Sequence, residues 1–127
     1  MQNSDFIKKA KNILKTLGPL FDCYHEATLT GKPKDELFAQ LYYLPTNKYM
    51  EFVYTPEKAP CKIILSEGQC SYGESVQILF PEDKGLCEVN AQAYIGYKTS
   101  KGLIAILSPH SIENPDSILN LLKKSSS

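Results

Sequence analysis

Tyr94-Ile95-Gly96-Tyr97-Lys98-Thr99-Ser100-Lys101-Gly102-Leu103-Ile104-Ala105-Ile106-Leu107 is the stretch whose reading decides the fold. Leu103 to Leu107 is apolar at every position, which predicts a strand covered on both faces. Followed back to Leu86, the preceding segment alternates instead. Cys87, Val89, Ala91, Ala93, Ile95 and Tyr97 take one side, and Glu88, Asn90, Gln92 and Tyr94 the other. That pattern predicts a strand over 86–98 with one wet face and Tyr94 on it. Thr99-Ser100-Lys101 is short enough to join the strands 86–98 and 102–108 as a hairpin.

Downstream, Asn114 and Pro115 form a cap and a first-turn proline. Ile118, Leu121 and Leu122 then make an apolar stripe before Lys123 and Lys124, which predicts a short helix. A helix of this length is not stable alone in water, so it must dock on the sheet. Residues 125–127 are expected to fray, leaving 1–124 as a single domain. Upstream, turn residues bound further predicted strands over Lys48–Thr55, Cys61–Ser66 and Ser75–Phe80. At the other end, Phe6, Ala10, Ile13, Leu14 and Leu17 recur at helical spacing until Gly18-Pro19, predicting a helix over Asp5–Leu17.

Two segments carry competing signals. Phe21, Cys23, His25, Ala27 and Leu29 alternate with polar neighbours, as in a strand, yet Pro19 could also open a helix ending at Gly31. In 34–44, Asp35 and Glu36 precede Leu37, Leu41 and Leu44, which favours a helix stopped by Pro45 and leaves a strand open. The fold class is α+β: an antiparallel sheet carrying N-terminal and C-terminal helices, with one further helix expected at 34–44.

Composition limits the chemistry. All fourteen basic residues are lysine, and fourteen acidic residues balance them. Without arginine's planar fork and without net positive charge, sequence-specific nucleic-acid binding is disfavoured. The helix-one lysines, Lys8, Lys9, Lys11 and Lys15, read as a solvated face. No stretch has the length of a membrane span, and the first eleven residues lack the apolar core of a signal peptide. Four cysteines without close pairing are too sparse for a disulfide scaffold, so reduced thiols and a cytoplasmic location are expected.

Cys23-Tyr24-His25-Glu26 is the densest group of reactive side chains. On a strand, Cys23 and His25 share a face about 7 Å apart, which makes them the candidate catalytic pair of a thiol-dependent enzyme, although no third group orients the histidine. Irregular spacing among Cys23, His25, Cys61, Cys70, Cys87 and His110 argues against a metal site. Gly68, Gly73 and Gly85 sit in turns and build no phosphate loop, so no cofactor is expected. Seven of the eight tyrosines fall in or beside the predicted strands, and tyrosine suits interfaces. A non-enzymatic protein-binding module is the leading expectation, with another protein as partner. Tyr94, Lys98, Lys101 and His110 are its candidate binding residues. A small-ligand carrier, with the ligand between helix one and the sheet, is an alternative.

The order of elements in the last third resembles the profilin architecture: the hairpin of Tyr94-Ile95-Gly96-Tyr97-Lys98 and Leu103-Ile104-Ala105-Ile106-Leu107, the loop Ser108 to Asn114, and the helix to Lys124. The resemblance spans about 35 residues and implies an actin-facing surface on the last strands and the C-terminal helix. The chain departs from profilins in having no tryptophan and no aromatic residue after Tyr97, so polyproline binding is not implied. The element order is also similar to roadblock and longin scaffold domains and, more loosely, to dimeric secretion chaperones.

Overall fold

The computed structural model describes residues 2–126. Helix α1, Gln2–Leu17, opens the chain, followed by strands β1, Cys23–Leu29, β2, Leu37–Tyr43, and β3, Lys48–Tyr54. Helix α2, Pro60–Glu67, leads to β4, Gln69–Tyr72, and two single-turn helices follow, α3, Val76–Leu79, and α4, Lys84–Glu88. Strands β5, Ala93–Lys98, and β6, Gly102–Ser108, form the hairpin, and α5, Pro115–Ser126, closes the fold. All six strands pair antiparallel in the order β3-β2-β1-β6-β5-β4.

Every residue of β6 is buried, as its two-sided apolar pattern predicts. Helices α1 and α5 cover one face: Phe6, Leu14, Leu119 and Leu122 pack on Tyr24, Tyr42, Ile95, Ile104 and Ile106. The opposite face carries Cys23, Ala27, Leu41, Tyr94, Leu103 and Leu107, and is covered by Cys61 and Ile64 of α2, Val76 of α3 and Leu86 of α4. The sheet is thus the middle of three layers.

Several expected elements differ. Residues 34–44 hold no α-helix: a 3-10 turn, Pro33–Asp35, leads into β2, and a second 3-10 turn, Leu44–Thr46, follows it. Leu37, Ala39 and Leu41 bury on alternate positions between β1 and β3, and sheet pairing on both sides outweighs the local helical signal. Cys61–Ser66 is helical rather than extended. Pro60 occupies the first turn, and Gly68 ends the helix at φ +91°, its N–H donating to the Ile64 carbonyl at 2.7 Å. Ser75–Phe80 contains the single turn of α3.

The strand expected over 86–98 begins only at Ala93. Asp83 caps α4, its Oδ1 accepting from the Gly85 N–H at 3.1 Å, and 84–88 coil as a helix. In α5 the tail expected from Ser125 continues as helix through Ser126. Ser125 and Ser126 donate to the Leu121 and Leu122 carbonyls, and Tyr97 Oη meets Ser126 Oγ at 2.6 Å. Ser127 lies outside the described residues.

The sheet leaves no room at Gly102, where a Cβ would collide with the Ala27 carbonyl on the neighbouring strand. Gly102→Ala is therefore expected to destabilise the fold by about 1–3 kcal/mol, the usual cost of overpacking, read as a lower urea midpoint at unchanged slope.

Candidate functional site

Helices α1 and α5 pack on one face of the sheet, and α2, α3 and α4 on the other. A cavity of about 370 Å3 opens there, between the sheet and the segment linking β3 to α2. Strand register decides which side chains reach it. His25 lies opposite Leu41 on β2 and Ala105 on β6, and Tyr94 lies opposite Leu107, so these residues share one face. Leu41, Leu86 and Leu107 supply apolar wall. The carrier reading placed a ligand beneath helix one; the cavity lies on the opposite face.

Four polar side chains run along the cavity in a chain of hydrogen bonds. Tyr54 Oη lies 3.4 Å from His25 Nε2 and 2.9 Å from Cys61 Sγ, and Cys61 Sγ lies 3.0 Å from Tyr94 Oη. Tyr94 is 2 % exposed, Cys61 3 % and His25 5 %, so three of the four members are buried. Each group can both donate and accept, so the three bonds are made without a net charge and the Tyr94 end keeps spare capacity. Phe52 and Tyr54 add ring surface beside His25: His25 and Phe52 are near parallel at 16° with centroids 6.4 Å apart, and Phe52 and Tyr54 lie 5.5 Å apart. At the rim, Lys58 Nζ pairs with Glu82 Oε2 at 2.7 Å.

Burial sets the protonation of this chain. Removal from water lowers the His25 pKa to about 4, against a smaller opposing pull from Glu26, so the imidazole is neutral at pH 7. Burial likewise raises the Cys61 thiol to about 11, although the Tyr54 and Tyr94 hydroxyls oppose the shift. Tyr54 and Tyr94 are pushed upward by the same desolvation. Asp83, beside the rim, is raised by burial against the help of the Gly85 and Leu86 backbone.

The sequence candidates are distributed unevenly. Cys23 and His25 do share a face, but the hydrogen bond His25 makes goes to Tyr54. The Cys23 thiol is fully buried, and desolvation followed by the charge of Asp22 raises its pKa, which holds it as an unreactive thiol. Tyr94, expected on a wet face, is at the bottom of the cavity: α4 breaks the alternation counted from Cys87, and β5 is covered on both faces. Lys98 and Lys101 are exposed at the hairpin turn. His110 is exposed beyond the other end of β6, where its charge lowers the Asp22 pKa against a larger rise from burial. Seven residues of β6, roughly 20 Å of strand, keep the lysines and His110 apart. Tyr54 has no site role in the sequence reading, and Cys61 none beyond the rejected metal site; the alternating aromatic positions Phe52 and Tyr54 of β3 are a signal for Tyr54, and Cys61 on α2 has none.

The chain matches no protein-family model, no curated protein and no solved structure. Among the described residues no group of three His, Cys, Asp or Glu side chains converges to hold a metal ion, and no helix is long and apolar enough to cross a membrane.

Two measurements follow from this burial. Cys87 is exposed while Cys23, Cys61 and Cys70 are buried, so a disulfide reagent at pH 8 should titrate one thiol in the native protein and four in guanidinium. The second concerns His25, whose folded pKa of about 4 lies below its ordinary 6.5. Between these values the unfolded chain binds more protons, so the contribution is whole above pH 6.5 and is lost as pH falls toward 4. From pH 7 to pH 5 the wild type should lose about 2 kcal/mol more stability than His25→Gln, measured by urea unfolding at each pH.

Proposed function

We propose that the protein is a non-catalytic small-molecule-binding domain whose ligand sits between the sheet and helices α2 and α4. The observation that carries this reading is the cavity of about 370 Å3, apolar in its walls and crossed by the His25–Tyr54–Cys61–Tyr94 chain. Ligand pockets combine apolar lining with a few fixed polar groups, and their volumes begin at about 300 Å3. A core built for stability alone would be filled, because each unfilled methyl-sized space costs on the order of 1 kcal/mol.

Catalysis is the weaker reading. A thiol nucleophile needs a base that keeps it partly ionised, and here both Cys23 and Cys61 are held protonated by burial. The protein-binding reading leaned on Tyr94 as a surface tyrosine, and Tyr94 belongs to the cavity instead.

Ala59 borders the cavity with extended backbone, φ −125° and ψ 157°, a conformation that accepts a large side chain. Ala59→Phe should fill part of the space. In a thermal-shift screen of small aromatic, aliphatic, acidic and neutral compounds at 1 mM, at least one should raise the wild-type Tm by several degrees and leave folded Ala59→Phe unmoved. No shift across the whole set, or equal shifts in both proteins, would remove the reading.

A further inference from the structure

Resting on the binding reading above, the geometry points to a narrower class of ligand. We propose that the occupant is a small, uncharged, flat aromatic molecule of about one or two fused rings that places a hydrogen-bonding edge against the Tyr54, Cys61 and Tyr94 chain. Three independent features carry this.

The first is charge. The deep part of the cavity is made by His25, Cys61, Tyr94 and leucines, with no ionised side chain among them. The charged lining residues are Lys58 of the β3–α2 connection, Glu82 and Asp83 before α4, and Lys84 at its start, and Lys58 and Glu82 are already paired with each other. An anion carried to the floor would lose its water and meet the Asp83 charge that Tyr54 and Cys61 already feel, and a cation would find only that one carboxylate, which burial pushes toward its neutral form. A neutral molecule has no such penalty.

The second is shape. His25, Phe52 and Tyr54 form a trio of ring systems with centroids 5.5 to 6.4 Å apart, His25 and Phe52 nearly parallel, and all three line the cavity. Flat π-systems gain from offset and edge contacts with such rings beyond the area they bury. A flexible chain gains only the area. The volume, near the lower end for ligand pockets, suits a fused bicycle better than a long chain.

The third is the polarity of the hydrogen-bond chain, which can run in either direction. If Tyr94 donates to Cys61, and Cys61 to Tyr54, then Tyr54 donates to His25, and the Tyr94 oxygen keeps lone pairs to offer. If His25 Nε2 carries the proton and donates, every bond reverses and the Tyr94 hydroxyl proton is free. Neither His25 nor Cys61 needs to ionise for this reversal. The site can therefore meet a ligand edge that donates, such as a phenol or an indole N–H, or one that accepts, such as a ring nitrogen.

The test is a titration of the intact protein with four compounds of similar size, 2-naphthol, naphthalene, 2-naphthoate and 1-decanol, followed by amide NMR shifts of His25, Tyr54, Cys61 and Tyr94. The expected result is that 2-naphthol binds at these residues at least tenfold more tightly than 2-naphthoate or 1-decanol, and more tightly than naphthalene. Phe52 is 38 % exposed, so Phe52→Leu keeps the core intact while removing a ring. This variant should weaken 2-naphthol about three- to tenfold and leave 1-decanol unchanged. If 1-decanol or 2-naphthoate binds as tightly as 2-naphthol at those residues, the aromatic and neutral class is wrong while the binding reading survives. If none of the four moves them, and the broad thermal-shift screen is also silent, both fall.

Discussion

The structure depends on β6 being covered twice. Gly102 to Ser108 is buried along its whole length, with Ile104 and Ile106 facing α1 and α5, and Leu103, Ala105 and Leu107 facing α2 and α4. At about 25 cal/mol per Å2 of apolar surface, leaving either face in water would forfeit more stability than a domain of this size has to spare. A strand with this composition forces three layers. Its neighbours β1 and β5 inherit the same constraint, which is why Tyr24 and Tyr94 are both buried, on opposite faces of the sheet.

The two layers meet that constraint differently. One face is covered by the two long helices, whose leucines and isoleucines lie at helical spacing and interdigitate with the sheet. The other is covered by one helix of eight residues and two single turns. Short elements present too few side chains to cover a six-stranded sheet as fully as the long helices do. The cavity is lined from α2, α4 and strands β1, β2, β3, β5 and β6, and the polar chain lines it because Tyr54 enters from the edge strand and Cys61 from the first turn of α2. The asymmetry of the helices is thus the origin of the site.

That asymmetry also explains how much could be read in the sequence. The hairpin, α1, α5 and the strands of 23–29 and 48–54 follow from patterns longer than one helical turn or one full alternation, with caps or turn residues at their ends. Residues 56–92 lack such patterns. Helices of four or five residues complete barely one turn, so Val76 to Leu79 and Lys84 to Glu88 show no helical period, and Cys61-Lys62-Ile63-Ile64-Leu65 has a strand-like composition. The signals that did mark α2 were its ends, Pro60 and Gly68, rather than its middle. Residues 37–43 failed in the opposite sense, since tertiary pairing with β1 and β3 overrode a local helical signal. For the site, period two placed Cys23 and His25 on one face correctly. It could not place Tyr54 and Cys61 beside His25, because that contact depends on β3 lying outside β2 and on α2 folding back across the sheet.

On the proposed reading, the polar chain is what sets the cavity apart from loose packing. Four neutral groups in sequence, the inner two each donating to one neighbour and accepting from the other, lose little on burial as long as every bond is made. Their preference for a fixed geometry holds Tyr54 and the ring of Phe52 beside it in place before any ligand arrives, which lowers the ordering cost of binding. A gap in a hydrophobic core gains nothing from such a chain, and replacing its members by apolar residues of similar shape would be close to neutral. Where a chain of this kind instead borders open space, its unused lone pair or proton at Tyr94 is the one feature that a partner of matching edge can satisfy, and specificity comes from that match rather than from area.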